Sequence, residues 1–337
     1  MKIAVIGAGA IGSVVAGRLK KAGEDVVLIG REEQVQAIKK KGLTIKGQGW
    51  EEVIEDLPTE TELDENCDLA IFATKTQDLE AAYQRNHLFL EGCLVLTTQN
   101  GVQADNILSS HFEQGKIYSS IVMFGSTYVK PGAVTYNFDG DWIIGKPFAP
   151  LDPKAHEIAG ILGKAFKVEV SDNIVGMKWL KLFVNFNNCI PALTGKSMQE
   201  TFADLDFCRL SILLLKEGVE IVSKANIKLV SMPQFPSDRI YGLVKMPLEQ
   251  AAAIINKTLT SLSKEPLYGS ILQSIMRKRT SEIDFINGEV VQIAKQMRQQ
   301  ARMNERIVDM VHHVERSGGY YKPEQVKEIF ELNMIQQ

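Results

Sequence analysis

The sequence predicts an α/β fold: an N-terminal doubly wound sheet followed by an all-α C-terminal domain. Three observations predict it. The chain opens on a short apolar run that passes without a gap into Gly7-Ala8-Gly9-Ala10-Ile11-Gly12, then into apolar residues at helical spacing. Continuous apolar runs at 26–29, 68–74 and 94–98 have the character of parallel strands covered on both faces. Beyond residue 172 the pattern is helical almost throughout. The boundary falls near Ser171-Asp172-Asn173, giving domains 1–172 and 173–337.

Bulk properties agree with this division. The 337 residues exceed one ordinary core and suit two domains. Hydrophobic content of 45% with 23% charged residues is the balance of a soluble globular protein. A net charge of −3 gives no electrostatic footprint for nucleic acid or an anionic membrane. The longest apolar runs, such as 210–215, are far too short to cross a bilayer. Met1 leads directly into a strand, so no targeting segment is expected. Cys67, Cys93, Cys189 and Cys208 form no C-x-x-C pair, which argues against a disulfide framework or zinc site and suits a reducing, cytoplasmic setting. The five dispersed histidines are read as structural or surface residues.

In chain order, the opening strand, glycine turn and helix make a Rossmann-type fingerprint. Gly7 allows the tight turn, Gly9 lets a pyrophosphate approach the backbone, and Gly12 lets the helix pack closely on its strand. The helix start, with its N–H groups and dipole, attracts the phosphates across Ala8, Ala10 and Ile11. The second strand ends at Gly30-Arg31. An acidic residue there would bond the ribose hydroxyls of NAD, whereas Arg31 suits the 2′-phosphate of NADP. Residues 42–55 read as short alternating strands. The third strand ends at Lys75 and the fourth at Gln99-Asn100-Gly101, which puts Lys75 and Asn100 on the same ligand edge as Gly7 and Arg31. Residues 116–146 read as β segments separated by turns at Pro131-Gly132 and Asp139-Gly140, expected to extend the sheet. A loop, a helix over 154–166 and a last strand at 167–170 complete the domain.

In the second domain, helices are expected to start near Ile174, Asp204, Leu248, Ser270, Ser281, Asn304 and Pro323. Lys181, Asn185 and Asn188 stand at i, i+4 and i+7 and share one face of a continuous helix. A lysine and two amides on so apolar a helix need polar partners, so the stripe either meets solvent or lines a pocket. Ser281 and Asp284 have the spacing of a capping box, which leaves Glu282 without a structural role.

Together these residues resemble the ketopantoate reductase family. The resemblance covers nearly the whole chain. It rests on the glycine turn, on Lys75, Gln99-Asn100-Gly101 and Pro131-Gly132, on Trp179-Leu180-Lys181-Leu182-Phe183-Val184-Asn185 and on Ser281-Glu282-Ile283-Asp284-Phe285-Ile286-Asn287-Gly288. It implies NADPH-dependent reduction of a 2-oxo acid, ketopantoate to pantoate in pantothenate and coenzyme A biosynthesis. It also implies roles for residues. Gly7-Ala8-Gly9-Ala10-Ile11-Gly12 and Arg31 bind NADP, with Lys75 and Asn100 beside it. Asn100, Asn185, Asn188 and Ser270 hold substrate, Lys181 donates the proton, and Glu282 lies where lysine, substrate and cofactor meet. A lysine ammonium stabilises the charge that builds on the carbonyl oxygen, then releases its proton from a pKa lowered towards neutrality. Closure of the domains would exclude water.

The run Asn188-Cys189-Ile190-Pro191-Ala192-Leu193-Thr194 departs from the family's Asn-Pro-Leu-Thr, and Ala301-Arg302-Met303-Asn304 keeps only the Asn of a Pro-x-Asn signature. The tail from Gly318 is additional. Two alternatives stay open: a paralogous reductase of another 2-oxo acid, and an NADPH-binding sensor without turnover. A dehydrogenase relying on a catalytic histidine is disfavoured, because no histidine falls in these stretches. No metal is expected. The partner expected is a small-molecule 2-oxo acid, with a homodimer through the helical domain left open.

Overall fold

Strands of unbroken apolar residues form the centre of the first half of the chain. The computed structural model describes residues 1–263 and 265–332. It divides into two compact units, residues 1–175 and 176–337.

The first unit begins with β1 (Lys2–Ile6), α1 (Ala10–Lys21), β2 (Asp25–Ile29), α2 (Glu32–Lys41), β3 (Leu43–Gly47), β4 (Trp50–Ile54) and β5 (Thr59–Glu60). It continues with β6 (Leu69–Phe72), α3 (Leu79–Asn86), β7 (Leu94–Thr97), α4 (Gln103–Leu108), β8 (Ile117–Val122), β9 (Gly125–Lys130) and β10 (Ala133–Phe138). It ends with β11 (Trp142–Gly145), α5 (Pro153–Leu162) and β12 (Val168–Ser171). The main sheet has eight strands in the order β12-β11-β8-β7-β6-β1-β2-β5. From β5 to β8 every pairing is parallel, and β11 pairs with β8 antiparallel. The chain leaves β1 towards β2 and later returns to β6 on its other side, so the strand order reverses at β1/β6. This Rossmann-type arrangement places ligands beyond the strand ends at that point.

One expectation fails here. Residues 116–146 do not all extend the main sheet. β8 and β11 join it, but β9 and β10 combine with β3 and β4 in a second sheet of order β4-β3-β10-β9. Short alternating segments reveal strand character without revealing their partners. The second sheet covers the outer side of α1. That helix buries seven of its residues, including Gly12, Ser13, Val14, Val15, Ala16 and Gly17 in succession. A side chain at Gly17 would meet Ile45 at 2.8 Å and Leu43 and Ile54 at 3.1 Å. Gln34 ties the layers: its amide donates to Ser13 Oγ (3.2 Å), while its oxygen accepts from Gly132 N (2.8 Å) and the Tyr128 hydroxyl (3.2 Å).

The second unit is helical. α6 (Ile174–Asn185) leads into it, followed by α7 (Cys189–Thr194), α8 (Met198–Phe202), α9 (Leu205–Lys224), α10 (Asp238–Lys245) and α11 (Leu248–Thr260). Then come α12 (Ser270–Met276), α13 (Asn287–Gln296), α14 (Arg302–Ser317) and α15 (Pro323–Ile329). The long α9 packs against α8, α11, α13 and α14. Glu217 on α9 caps α14 by accepting from Met303 N (3.1 Å) and Asn304 N (2.8 Å). The buried Asn304 side chain donates to Glu217 and accepts from Asn287 (3.0 Å), so the signature asparagine locks three helices. The tail after Gly318 is anchored. Tyr321 N donates to Leu193 O (2.8 Å), Lys327 pairs with Asp204 (2.7 Å) and Asp206 (2.8 Å), and Val326 is fully buried.

One helix expectation is corrected. Ser281 does not open a helix through a capping box: Ile283–Phe285 is a 3₁₀ turn, and α13 begins at Asn287. Ser281 Oγ accepts from Ile283 N (3.3 Å), and Asp284 turns to His312. The helix expected near Asn304 is α14, which begins at Arg302.

Candidate active site

In the first unit the sequence-singled residues gather at the C-terminal edge of the parallel strands. Gly7 follows β1 with φ +119° and donates its N–H to Ile29 O (2.9 Å). A Cβ at Gly7 would lie 2.6 Å from Thr74 N and 2.7 Å from Ala73 C, and one at Gly12 only 2.0 Å from Gly7 O. At Gly30 it would stand 2.5 Å from the Ala8 Cβ. These contacts bring the turn, the start of α1 and the ends of β2 and β6 into backbone contact. Gly9 differs: a Cβ there meets nothing within 4 Å. It precedes α1 without any capping side chain, so the helix start offers its N–H groups across open space. That is the cradle a pyrophosphate requires. Ala10 and Ile11 form the first turn of α1.

Arg31 follows β2 at the N-cap of α2 and is exposed. Its neighbour Glu32 accepts from Gln36 (2.8 Å). Lys75 follows β6 half-buried, at the start of a 3₁₀ turn over Thr76–Asp78. Asn100 is exposed beyond β7, and its position is set by a residue the sequence reading gave no role. The buried Gln99 donates to Phe72 O and Thr74 O, both at 3.0 Å, and accepts from Thr98 N at 3.1 Å. The end of β7 is thereby fastened to the end of β6, and Gly101 turns the chain with φ +78°. Beneath this loop the buried Asp105 accepts from Thr97 Oγ1 (2.5 Å) and Ser119 Oγ (2.6 Å). The residue types fit a dinucleotide: a side-chain-free turn for the pyrophosphate, and a cation rather than an acid where the adenosine ribose is read.

The second unit holds the other candidates. Lys181 lies on α6 and retains partial solvent contact, yet the packing around its ammonium is dense. Its pKa is lowered to about 8: burial is the largest cause, the neighbouring Lys178 cation adds to it, and Glu282 opposes both. Lysine, acid and second lysine therefore act on one another. Lys178, itself buried, was missed by the sequence reading. Its i, i+3 spacing from Lys181 was the available signal.

The polar stripe is broken. α6 ends at Asn185, and Phe186–Asn188 forms a 3₁₀ turn whose tighter winding takes Asn188 off the helix face. Asn188 reaches Ser270, the first residue of α12, through Nδ2–H to Oγ at 3.4 Å. A side chain on the intervening Gly269 would strike Asn188 Oδ1 at 2.7 Å. Cys189 is fully buried, donates to Phe186 O (2.9 Å), and has its thiol pushed up to about 12 by burial. It is an inert packing group. Among the described residues no cluster of three or more His, Cys, Asp or Glu could hold a metal, and no helix is long and apolar enough to cross a membrane.

Known proteins match the chain over nearly all its length. A family model described as ketopantoate reductase PanE/ApbA matches residues 3–147, and one for the C-terminal part of the same family matches residues 173–315. A 2-dehydropantoate 2-reductase of Pyrococcus abyssi is 32% identical over 315 residues, 90% of this chain and 94% of that protein. The crystal structure of a PanE/ApbA family ketopantoate reductase from Ralstonia eutropha aligns with a TM-score of 0.79 at 27% identity, covering 94% of this chain and 99% of that one. D-mandelate dehydrogenase, in a ternary complex with NADH and anilino(oxo)acetate, aligns with a TM-score of 0.79 at 25% identity and the same coverage.

Proposed function

Because the chain belongs to the ketopantoate reductase family of oxidoreductases, we propose that it reduces 2-dehydropantoate to pantoate with NADPH, using Lys181 as the proton donor. The observation that carries this reading is Lys181: its pKa is held near 8 with Glu282 acting on it. A general acid is most effective when its pKa lies near the working pH.

The bound dinucleotide supplies the hydride. The chain supplies the rest. The turn Gly7-Ala8-Gly9-Ala10-Ile11-Gly12 takes the pyrophosphate on backbone N–H groups, and Arg31 takes the 2′-phosphate. Lys75 and Asn100 fix the cofactor at the strand ends, and Asn100 also touches substrate. Lys181 offers its ammonium to the substrate's C2 oxygen, stabilises the negative charge developing there, and gives up one proton. Glu282 holds the ammonium in place and keeps its pKa from falling further. Asn185, Asn188 and Ser270 are suited to the carboxylate and hydroxyl of the acid.

A second reading, a reductase of a larger 2-oxo acid, is favoured by the likeness to D-mandelate dehydrogenase and by Cys189 in the departing run after Asn188. Steady-state NADPH oxidation with ketopantoate and with an aryl 2-oxo acid decides between them by the ratio of kcat/KM. Lys181→Ala is expected to abolish turnover and leave NADPH binding intact; full turnover in that variant overturns the proton-donor assignment. Arg31→Ala is expected to raise KM for NADPH and leave KM for NADH unchanged.

A further inference from the structure

Glu282 sits in the ten-residue connection, 277–286, between α12 and α13, which a single helix grips on both sides of it. Two α14 residues one turn apart do the gripping. Glu315 Oε1 accepts from Ser281 N at 2.8 Å, and its Oε2 lies 2.9 Å from His312 Nδ1. The other ring nitrogen, His312 Nε2, lies 2.9 Å from Asp284 Oδ1. The segment's own backbone is tightened by Ser281 Oγ, which accepts from Ile283 N. Ser281 and Ile283 are buried. The residues flanking Glu282 are thus tied to α14 through one imidazole and one carboxylate.

The chemistry of the ring is decided by its neighbours. Both nitrogens face carboxylate oxygens, which accept hydrogen bonds and do not donate them. A neutral imidazole carries one N–H and satisfies one of the two contacts. The imidazolium carries two and satisfies both. Burial works against that charge, but the hydrogen bonds to Asp284 and Glu315 outweigh it and leave the pKa of His312 raised. The Glu315 carboxyl is correspondingly lowered: burial raises it, and its bonds from Ser281 and His312 overcome that.

We propose that His312 is a positioning residue: clasped as an imidazolium between Asp284 and Glu315, it holds the connection that carries Glu282 and so sets how Glu282 meets the Lys181 ammonium. This rests on the reading of Lys181 and Glu282 as the catalytic pair. Without the clasp the connection is held at one end, Glu282 moves relative to Lys181, and the ammonium loses the partner that keeps its pKa up. The charged groups facing His312 are Asp284, from the turn before α13, and Glu315, from α14. Above its raised pKa the ring loses one bond, so the connection loosens on the alkaline side.

The test uses His312→Gln, which donates to one carboxylate only, and His312→Arg, which keeps a cation with several donors. Hydrogen exchange at residues 281–284 reads the clasp without reference to turnover: protection falls in His312→Gln and is restored in His312→Arg. In ketopantoate reduction His312→Gln lowers kcat by roughly ten- to a hundred-fold, the loss expected for a misplaced group. KM for NADPH stays within about two-fold, and the alkaline limb of kcat moves to lower pH. In a Glu282→Gln background the same change has almost no further effect, because the residue it positions is already disabled. Unchanged exchange in His312→Gln overturns the clasp. Reduced protection with kcat losses that multiply in the double variant overturns the positioning of Glu282. If Lys181→Ala and Glu282→Gln turn over like the parent, the catalytic pair itself is wrong and the positioning role falls with it, while hydrogen exchange still reports whether the clasp exists.

Discussion

Replacing Lys181 by methionine should make the protein more stable while removing its turnover. The side chain keeps a comparable apolar length, so the change isolates the ammonium. In the folded chain the pKa of Lys181 falls from 10.5 to about 8, which corresponds to a penalty of about 3 kcal/mol for holding the charge at neutral pH. Its partial solvent contact screens some of this, so a gain of about 1–3 kcal/mol is expected, or roughly 3–10 °C in Tm for a unit of this size. The sign follows from proton counts. Below pH 8 both folded and unfolded chains hold the proton and the penalty is complete. Between about pH 8 and 10.5 the unfolded chain keeps its proton and the folded chain does not, so the parent protein recovers stability as pH rises. The advantage of Lys181→Met should therefore be full at pH 7 and largely gone at pH 10.5. Thermal unfolding of both proteins at the two pH values measures it. A variant no more stable than the parent at pH 7, or one whose advantage persists unchanged at pH 10.5, would refute the reasoning.

Three further outcomes are expected. Glu282→Gln removes a group that raises the pKa of Lys181, so the alkaline limb of kcat should move to lower pH by about half a unit to one unit; a shift to higher pH contradicts it. Gly12→Ala should cost about 1–3 kcal/mol by crowding Gly7 O, whereas Gly9→Ala should leave Tm unchanged and weaken NADPH binding at least about ten-fold; calorimetry and fluorescence titration separate the two. The buried thiols of Cys67 and Cys93 act on one another where β6 and β7 begin, so a mild oxidant should join them by taking up their two hydrogens. Closing the loop of 25 residues between them should stabilise the first unit by up to about 3–4 kcal/mol, read as a rise in Tm that Cys67→Ser abolishes.

Much of the first unit was legible because its chemistry follows its strands. Unbroken apolar runs announce parallel strands, and each such run ends at the ligand edge, so Gly7, Arg31, Lys75 and Asn100 could be placed together without coordinates. The second sheet was not legible. The alternation at residues 43–54 and 125–138 identifies strands, but pairing β3 with β10 depends on contacts some ninety residues apart. The polar helix α2 buries only Gln34, Val35 and Ile38 and carries little periodic signal. In the second unit local spacing misled where distant partners compete. Asp284 suits a capping box by sequence, yet His312, 28 residues away, takes it. Asn188 belongs to the Lys181 stripe only if the helix continues, and a 3₁₀ turn intervenes. Lys178 and Gln99 act through neighbours that no motif records.

The position of α1 between two sheets has a thermodynamic consequence. A helix pressed on both sides has no freedom to rock, and the glycine turn that precedes it shares its backbone contacts. The phosphate cradle is set before any ligand arrives. Association then forfeits little chain entropy, and exchange protection in α1 should be nearly the same with and without the dinucleotide.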